Sequence, residues 1–142
     1  MLLRRIASAV LVGGVLVLGA TLCMKAAEKK PEEGWAAPPE EAKKENPVPA
    51  DAKSIAAGKA VYTQQCLACH GPTGKGDGPA AIALKTKPGD LSDPKIREQT
   101  DGALFWKITV GREAMPAYKK LLTDEQRWQA VNYIRTFAKK SA

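Results

Sequence analysis

The chain has 142 residues and a formal net charge of +7, enough for one domain with appendages and too short for two. The excess positive charge lies C-terminal: from Ser54 onward there are 14 Lys and Arg against 8 Asp and Glu, whereas 25–53 holds 6 Lys against 7 acids. No basic run is interleaved with aromatics and no helix-turn-helix or zinc-finger spacing is present, so a nucleic-acid partner is not indicated.

The N-terminus reads as an export segment. Arg4 and Arg5 precede 19 residues, 6–24, that carry no charge. That run exceeds the about 7–15 residues of a usual signal-peptide apolar core and approaches a spanning helix. No A-x-A cleavage site follows it, and Leu22 before Cys23 departs from the small residue of a lipoprotein signal. An uncleaved anchor at 6–24 is therefore expected, with a soluble exported form after cleavage as the alternative. Residues 25–53 contain five prolines, alternating charges and, apart from Trp35, almost no large apolar side chain. Such a segment has little to bury and is expected to be a disordered linker, reaching at most about 90 Å. Trp35 reads either as a docking point or as a stray exposed aromatic.

The folded part is expected over 54–142, all-α. "SIAAGKAVYTQQCLACH" predicts a helix capped by Ser54, with Ile55, Val61 and Tyr62 on its apolar side. "GPTGKGDGP" is a Gly/Pro loop. "AAIALK" suits one or two helical turns, and "KPGDLSDP" is loop. "TDGALFWKITVG" predicts a helix opened by Thr100 or Asp101 and stopped at Gly111. "REAMPAYKKL" is irregular. The last helix opens with a capping box, Thr123 and Gln126, and carries Trp128, Val131, Ile134 and Phe137 at helical spacing. No alternating strand pattern of useful length is present. Under 90 residues with several glycine-rich loops make a thin core, and such a domain usually needs a staple.

The pair Cys66 and Cys69, followed by the only histidine, His70, bears on that need. A disulfide would close a very short loop, and a thioredoxin-like redox pair expects a βαβ context that the pattern lacks. A zinc site needs two further Cys or His ligands, and the folded part has none to spare. The spacing C-x-x-C-H fits covalent haem attachment: residues three apart share one helical face, so both thiols can add to the two vinyl groups of one porphyrin, with an imidazole beneath the iron. A bonded haem would also supply the missing core. Met115, the only methionine of the folded part, sits before Pro116 in an irregular stretch. It is a candidate second axial ligand, with a gap-filling core methionine as the plainer reading.

"CLACH", "GDGPA", "AMPAY" and "DEQRWQAVNYIRTF" together resemble the class I cytochromes c of the small bacterial monohaem type, over about 54–138. The resemblance implies a few helices wrapped around one covalent haem c, with the first and last crossing. It makes Cys66 and Cys69 the attachment points, His70 the proximal and Met115 the distal iron ligand. It makes Pro79 the residue whose carbonyl accepts the histidine's other ring N–H. Gly58 and Tyr62 resemble the pair that meets the last helix, near Ala130 and Tyr133. Trp106 and Arg112 are weaker candidates for the haem propionates, since packing and solvation explain them as well.

The implied function is one-electron transfer on the periplasmic side of a bacterial inner membrane. Lys75, Lys85, Lys87, Lys119 and Lys120 would frame a haem edge and attract acidic redox partners. Two alternatives remain at this level. One is a catalytic or ligand-binding haem of the peroxidase or gas-sensor type, which the lack of a second histidine disfavours. The other is a haem subunit that relays electrons inside a fixed membrane oxidoreductase complex.

Overall fold

The computed structural model describes residues 35–138, so the expected anchor at 6–24 lies outside the described residues. Six α-helices follow in chain order: α1 Pro39–Ala42, α2 Ala52–Gln65, α3 Leu67–His70, α4 Pro94–Arg97, α5 Asp101–Val110 and α6 Asp124–Ala138. Short 3-10 turns occupy Ala81–Ala83 and Tyr118–Lys120. Among the described residues the only strand-like pairing is a single bridge between Arg112 and Met115. The all-α expectation is met. No helix of the described residues is long and apolar enough to cross a membrane.

The central packing is α2 against α6. Gly58 makes it possible: a Cβ there would stand 1.9 Å from the Gln129 carbonyl oxygen and 3.0 Å from the Tyr133 Cβ. Lacking that atom, α2 lies directly on the α6 backbone. Tyr62, one turn on, meets Tyr133 and Phe137 with ring centroids 5.2 Å apart in each pair. Gly58 and Tyr62 thus face the last helix as expected. Val61, Ala130, Val131 and Ile134 complete the buried seam. Each large aliphatic residue so buried is worth about 1.5–3 kcal/mol.

α5 closes the other side of α6. Thr100 caps it, accepting from the Ala103 N–H, and Gly111 ends it. Phe105 stacks on Trp128 with centroids 3.9 Å apart. Arg127 is buried over the Phe105 ring, donates to Thr109 Oγ1 at 2.8 Å and pairs with Asp124. The capping box on α6 forms as predicted: Gln126 N–H donates to Thr123 Oγ1 at 3.2 Å, and Thr123 N–H donates to Gln126 Oε1 at 2.9 Å.

Two expectations need correction. α2 starts at Ala52 and is capped by Asp51, whose carboxylate accepts from the Ser54 N–H at 2.7 Å. Ser54 is buried, its hydroxyl taken by Asn132 Nδ2 at 2.6 Å. The second concerns the disordered linker. From Trp35 onward this segment is a strap on the domain. The Thr100 hydroxyl donates to the Ala42 carbonyl at 2.6 Å, and Asn46 Nδ2 donates to Asn132 Oδ1 at 2.8 Å. Asn132 Nδ2 also reaches the carbonyls of Val48 and Pro49. α1 sits so close to α5 that a Cβ on Gly102 would stand 2.3 Å from the Glu41 carbonyl oxygen. A segment with no core of its own is ordered here by borrowing the domain's: Val48 packs against the main cluster, and Thr100 and Asn132 satisfy the carbonyls of Ala42, Val48 and Pro49.

Candidate functional site

α2 breaks at Cys66, whose N–H still donates to the Tyr62 carbonyl, and the chain turns straight into α3. His70 N–H closes that turn onto the Cys66 carbonyl at 2.9 Å. The glycine-rich loop then folds back on it. Gly76 N–H donates to the His70 carbonyl at 2.9 Å, Gly78 N–H to that of Cys69 at 3.1 Å and Ala80 N–H to that of Ala68 at 2.8 Å. The Tyr62 hydroxyl donates to the Gly71 carbonyl at 2.7 Å, tying the loop to the α2–α6 seam. Small residues let the backbone follow the cysteine turn this closely.

On the far side, Arg112 and Met115 exchange both backbone hydrogen bonds at 2.9 Å, bracketing a tight turn that holds Glu113 at φ 53°. Met115 packs against the main cluster. Just beyond it, the Tyr118 hydroxyl donates to the Gln65 carbonyl at 2.7 Å, locking the methionine segment to the end of α2 beside Cys66.

Between these two segments lies a cavity of about 360 Å³. Cys66, Cys69, His70 and Met115 all line it, brought together from two stretches far apart in the chain. The rest of its wall is largely aliphatic and aromatic, with Leu84, Leu91, Ile96, Leu104, Ile108 and Tyr118 prominent. Protein interiors are close-packed, and a mainly apolar void of this size is a ligand's place. Both cysteines are free thiols. Burial, with the neighbouring Cys69 adding to it, pushes the Cys66 thiol up to about 12. Burial also lowers the His70 pKa, and the Gly89 carbonyl opposes that effect. The imidazole is therefore neutral at pH 7, the form that binds metal. Two half-buried thiols, a neutral imidazole, a thioether and an apolar slot fit a haem c.

Not every candidate falls in place. His70 Nδ1 faces the Gly89 carbonyl at 3.3 Å. Pro79 is exposed and does not line the cavity, because the loop turns its "GDGP" corner outward onto the back of α3. Arg112 lines the cavity; Trp106 does not. The tryptophan in the wall is Trp35, from the strap, with Lys107 Nζ 5.1 Å and Arg112 Cζ 5.7 Å from its ring centroid. The sequence reading of Trp35, a docking point or a stray exposed aromatic, does not place it in this wall. Its one available signal was that it is the only large aromatic in 25–53.

Among the described residues, Lys87, Lys107 and Arg112 bring three cations to the lining and Glu113 one carboxylate. Lys85 lies in a more open depression that shares Leu84, Thr86, Glu113 and Ala114 with the cavity. Lys75, Lys119 and Lys120 are exposed and stand outside the lining.

Fold and site together define a class I c-type cytochrome. Residues 53–134 match the family model described as "Cytochrome C oxidase, cbb3-type, subunit III", and the chain belongs to that family. It is 36% identical over 86 residues to cytochrome c6 of Rippkaea orientalis, covering 61% of this chain and 73% of that protein. It is 31% identical over 83 residues to cytochrome c6 of Porphyra purpurea, covering 58% of this chain and 71% of that one. Among solved structures, it resembles a chain of the Kuenenia stuttgartiensis reducing HAO-like protein complex, with a TM-score of 0.57 and 28% identity. That likeness covers 64% of this chain and 46% of the other, so the chain spans under half of that protein. The cofactor is a covalently bound haem c with its iron, the function is electron transport, and the partners are redox proteins.

Proposed function

We propose that the chain carries single electrons on a haem bonded through Cys66 and Cys69 and ligated by His70 and Met115. We place it on the periplasmic side of a bacterial inner membrane, held by residues 6–24. The observation that carries the ligation is the convergence of those four side chains on one otherwise apolar cavity. When bound, the haem supplies reversible one-electron exchange at its iron. The chain's residues set how that exchange proceeds. The two cysteines fix the cofactor at two points. A hydrogen bond from His70 Nδ1 to Gly89 fixes the ring's tautomer and leaves Nε2 for the metal. Met115 would hold the iron as a neutral soft ligand, which would raise the potential and leave no place for a substrate. The aliphatic wall keeps water out, which favours the less charged reduced state.

Lys87 in the cavity wall and Lys85 in the depression beside it give this site a positive field, and Lys75, Lys119 and Lys120 add exposed charge. It suits weak, fast encounters with acidic redox partners, and their rate should fall as salt rises. A membrane location is supported by the uncharged run 6–24 and by the requirement, within this family, that haem attachment be completed on the export side.

Two measurements on native protein test the reading. A redox titration should follow a single reversible one-electron transition, and the reduced protein at neutral pH should not bind carbon monoxide. Carbon monoxide binding without prior unfolding would show an open iron position and overturn the carrier assignment in favour of a ligand-binding haem.

A further inference from the structure

The strap places an aromatic ring in the cavity wall although its sequence lies outside the family match at 53–134. Trp35 is partly buried, and the two cations beside it, Lys107 at the end of α5 and Arg112 just past it, line the same cavity. Arg112 Nε also contacts Glu113 Oε1 at 3.3 Å, which leaves its guanidinium shared between a carboxylate and the indole. The ring is held by a built structure. Four residues on, α1 rests on α5 at Gly102, and the Asn46–Asn132–Ser54 network buries its polar atoms under the strap's second half. A stray surface tryptophan has no such support.

We propose that Trp35 is the cover of the haem cavity, a positioning residue that the N-terminal strap delivers to keep water out and to hold Lys107 and Arg112 against the cavity wall. The proposal rests on the haem occupying this cavity. Both effects have one sign. Excluding water disfavours the oxidised iron centre, which carries one more positive charge than the reduced one. Two cations kept near the wall disfavour it again. The strap therefore raises the reduction potential, through a ring that lies outside the family match. Without the ring, water enters and the two long side chains relax outward, where solvent and salt screen them.

The test is a redox titration of the purified holoprotein and three variants, with thermal unfolding of each alongside. Trp35→Ala should lower the midpoint potential clearly, and Trp35→Phe should recover most of the difference because it keeps a ring under the cations. Trp35→Leu, the milder change if the alanine variant folds poorly, should fall between them. At low salt the gap between wild type and Trp35→Ala should be widest. A midpoint in Trp35→Ala or Trp35→Leu equal to wild type would overturn the proposal and leave the strap a packing element. Wild-type protein lacking a covalent pigment would overturn the haem reading itself, a different failure seen before any variant is compared.

Discussion

The α2–α6 crossing and the haem cavity are built on opposite logic. At the crossing, Gly58 meets the Gln129 backbone and Tyr62, Val131 and Phe137 are buried by one another, so the seam is complete from the chain alone. At the cavity, Leu84, Leu91, Leu104 and Ile108 face a space that no side chain fills. Helices supply Leu104, Ile108 and Ile134 to its wall, but the glycine loop and the methionine segment beside it are irregular. The cysteine turn, the glycine loop and the methionine segment are held mainly by backbone hydrogen bonds and by two tyrosine hydroxyls. One region is finished by packing and the other by its cofactor. A domain this small has apolar side chains for one good seam, and the bonded ring supplies the second.

That contrast sets where the molecule breaks. Replacing both Cys66 and Cys69 with alanine should remove the covalent pigment and, with it, cooperative unfolding of the cavity half. Circular dichroism and a haem-stained gel read both losses, and retention of a sharp thermal transition would show that the cavity can close on itself. Gly58→Ala attacks the finished seam instead. The new methyl meets backbone, which cannot move aside, so a destabilisation of about 3 kcal/mol is expected, with the haem still attached. Denaturant unfolding of the holoprotein measures it, and a loss under about 1 kcal/mol would mean that the helices separate freely.

The strap joins the two regions, and Asn132 is its fastening. Asn132→Ala leaves Asn46, Ser54 and two carbonyls short of a partner. A loss of about 2 kcal/mol is expected, together with faster amide exchange over 46–54. Unchanged exchange there would show that α1 alone holds the strap. The last effect, absent at neutral pH, is a loss of stability in alkali. Burial pushes the Tyr118 hydroxyl up to about 12 from an ordinary 10, and burial raises Tyr62 as well. The folded state then keeps a proton that the unfolded chain releases, so stability is level below pH 10 and falls as pH rises from 10 towards 12. The slope should reach about 1.4 kcal/mol per pH unit for each tyrosine. Tyr118→Phe should remove its half of the slope and leave that of Tyr62, at a cost of about 1 kcal/mol at neutral pH from the Gln65 carbonyl left unpaired.

The parts legible in the sequence are those whose chemistry is local. The ends of α5 and α6 follow from Thr100, Gly111 and the Thr123–Gln126 box, each of which bonds within a few residues. The cysteine–histidine turn is a spacing, and spacing survives in sequence. The errors came where a residue's partner is distant. Asp51 and Ser54 are both good caps three residues apart, and the choice between them was decided by Asn132, 78 residues beyond Ser54. The carbonyl facing His70 belongs to Gly89, 19 residues on. Of the weak propionate candidates Trp106 and Arg112, only Arg112 lines the cavity, where Trp35 stands instead. The strap that carries Trp35 has no internal periodicity to announce it, and its order comes from a surface made by α5 and α6.

The account's central claim is one haem bonded to two named sulfurs. Mass analysis of the tryptic fragment 60–75 from native protein, after treatment with a thiol-alkylating reagent, tests it most directly. The fragment should carry a single haem with neither Cys66 nor Cys69 alkylated. Two alkylated cysteines and no haem would contradict it.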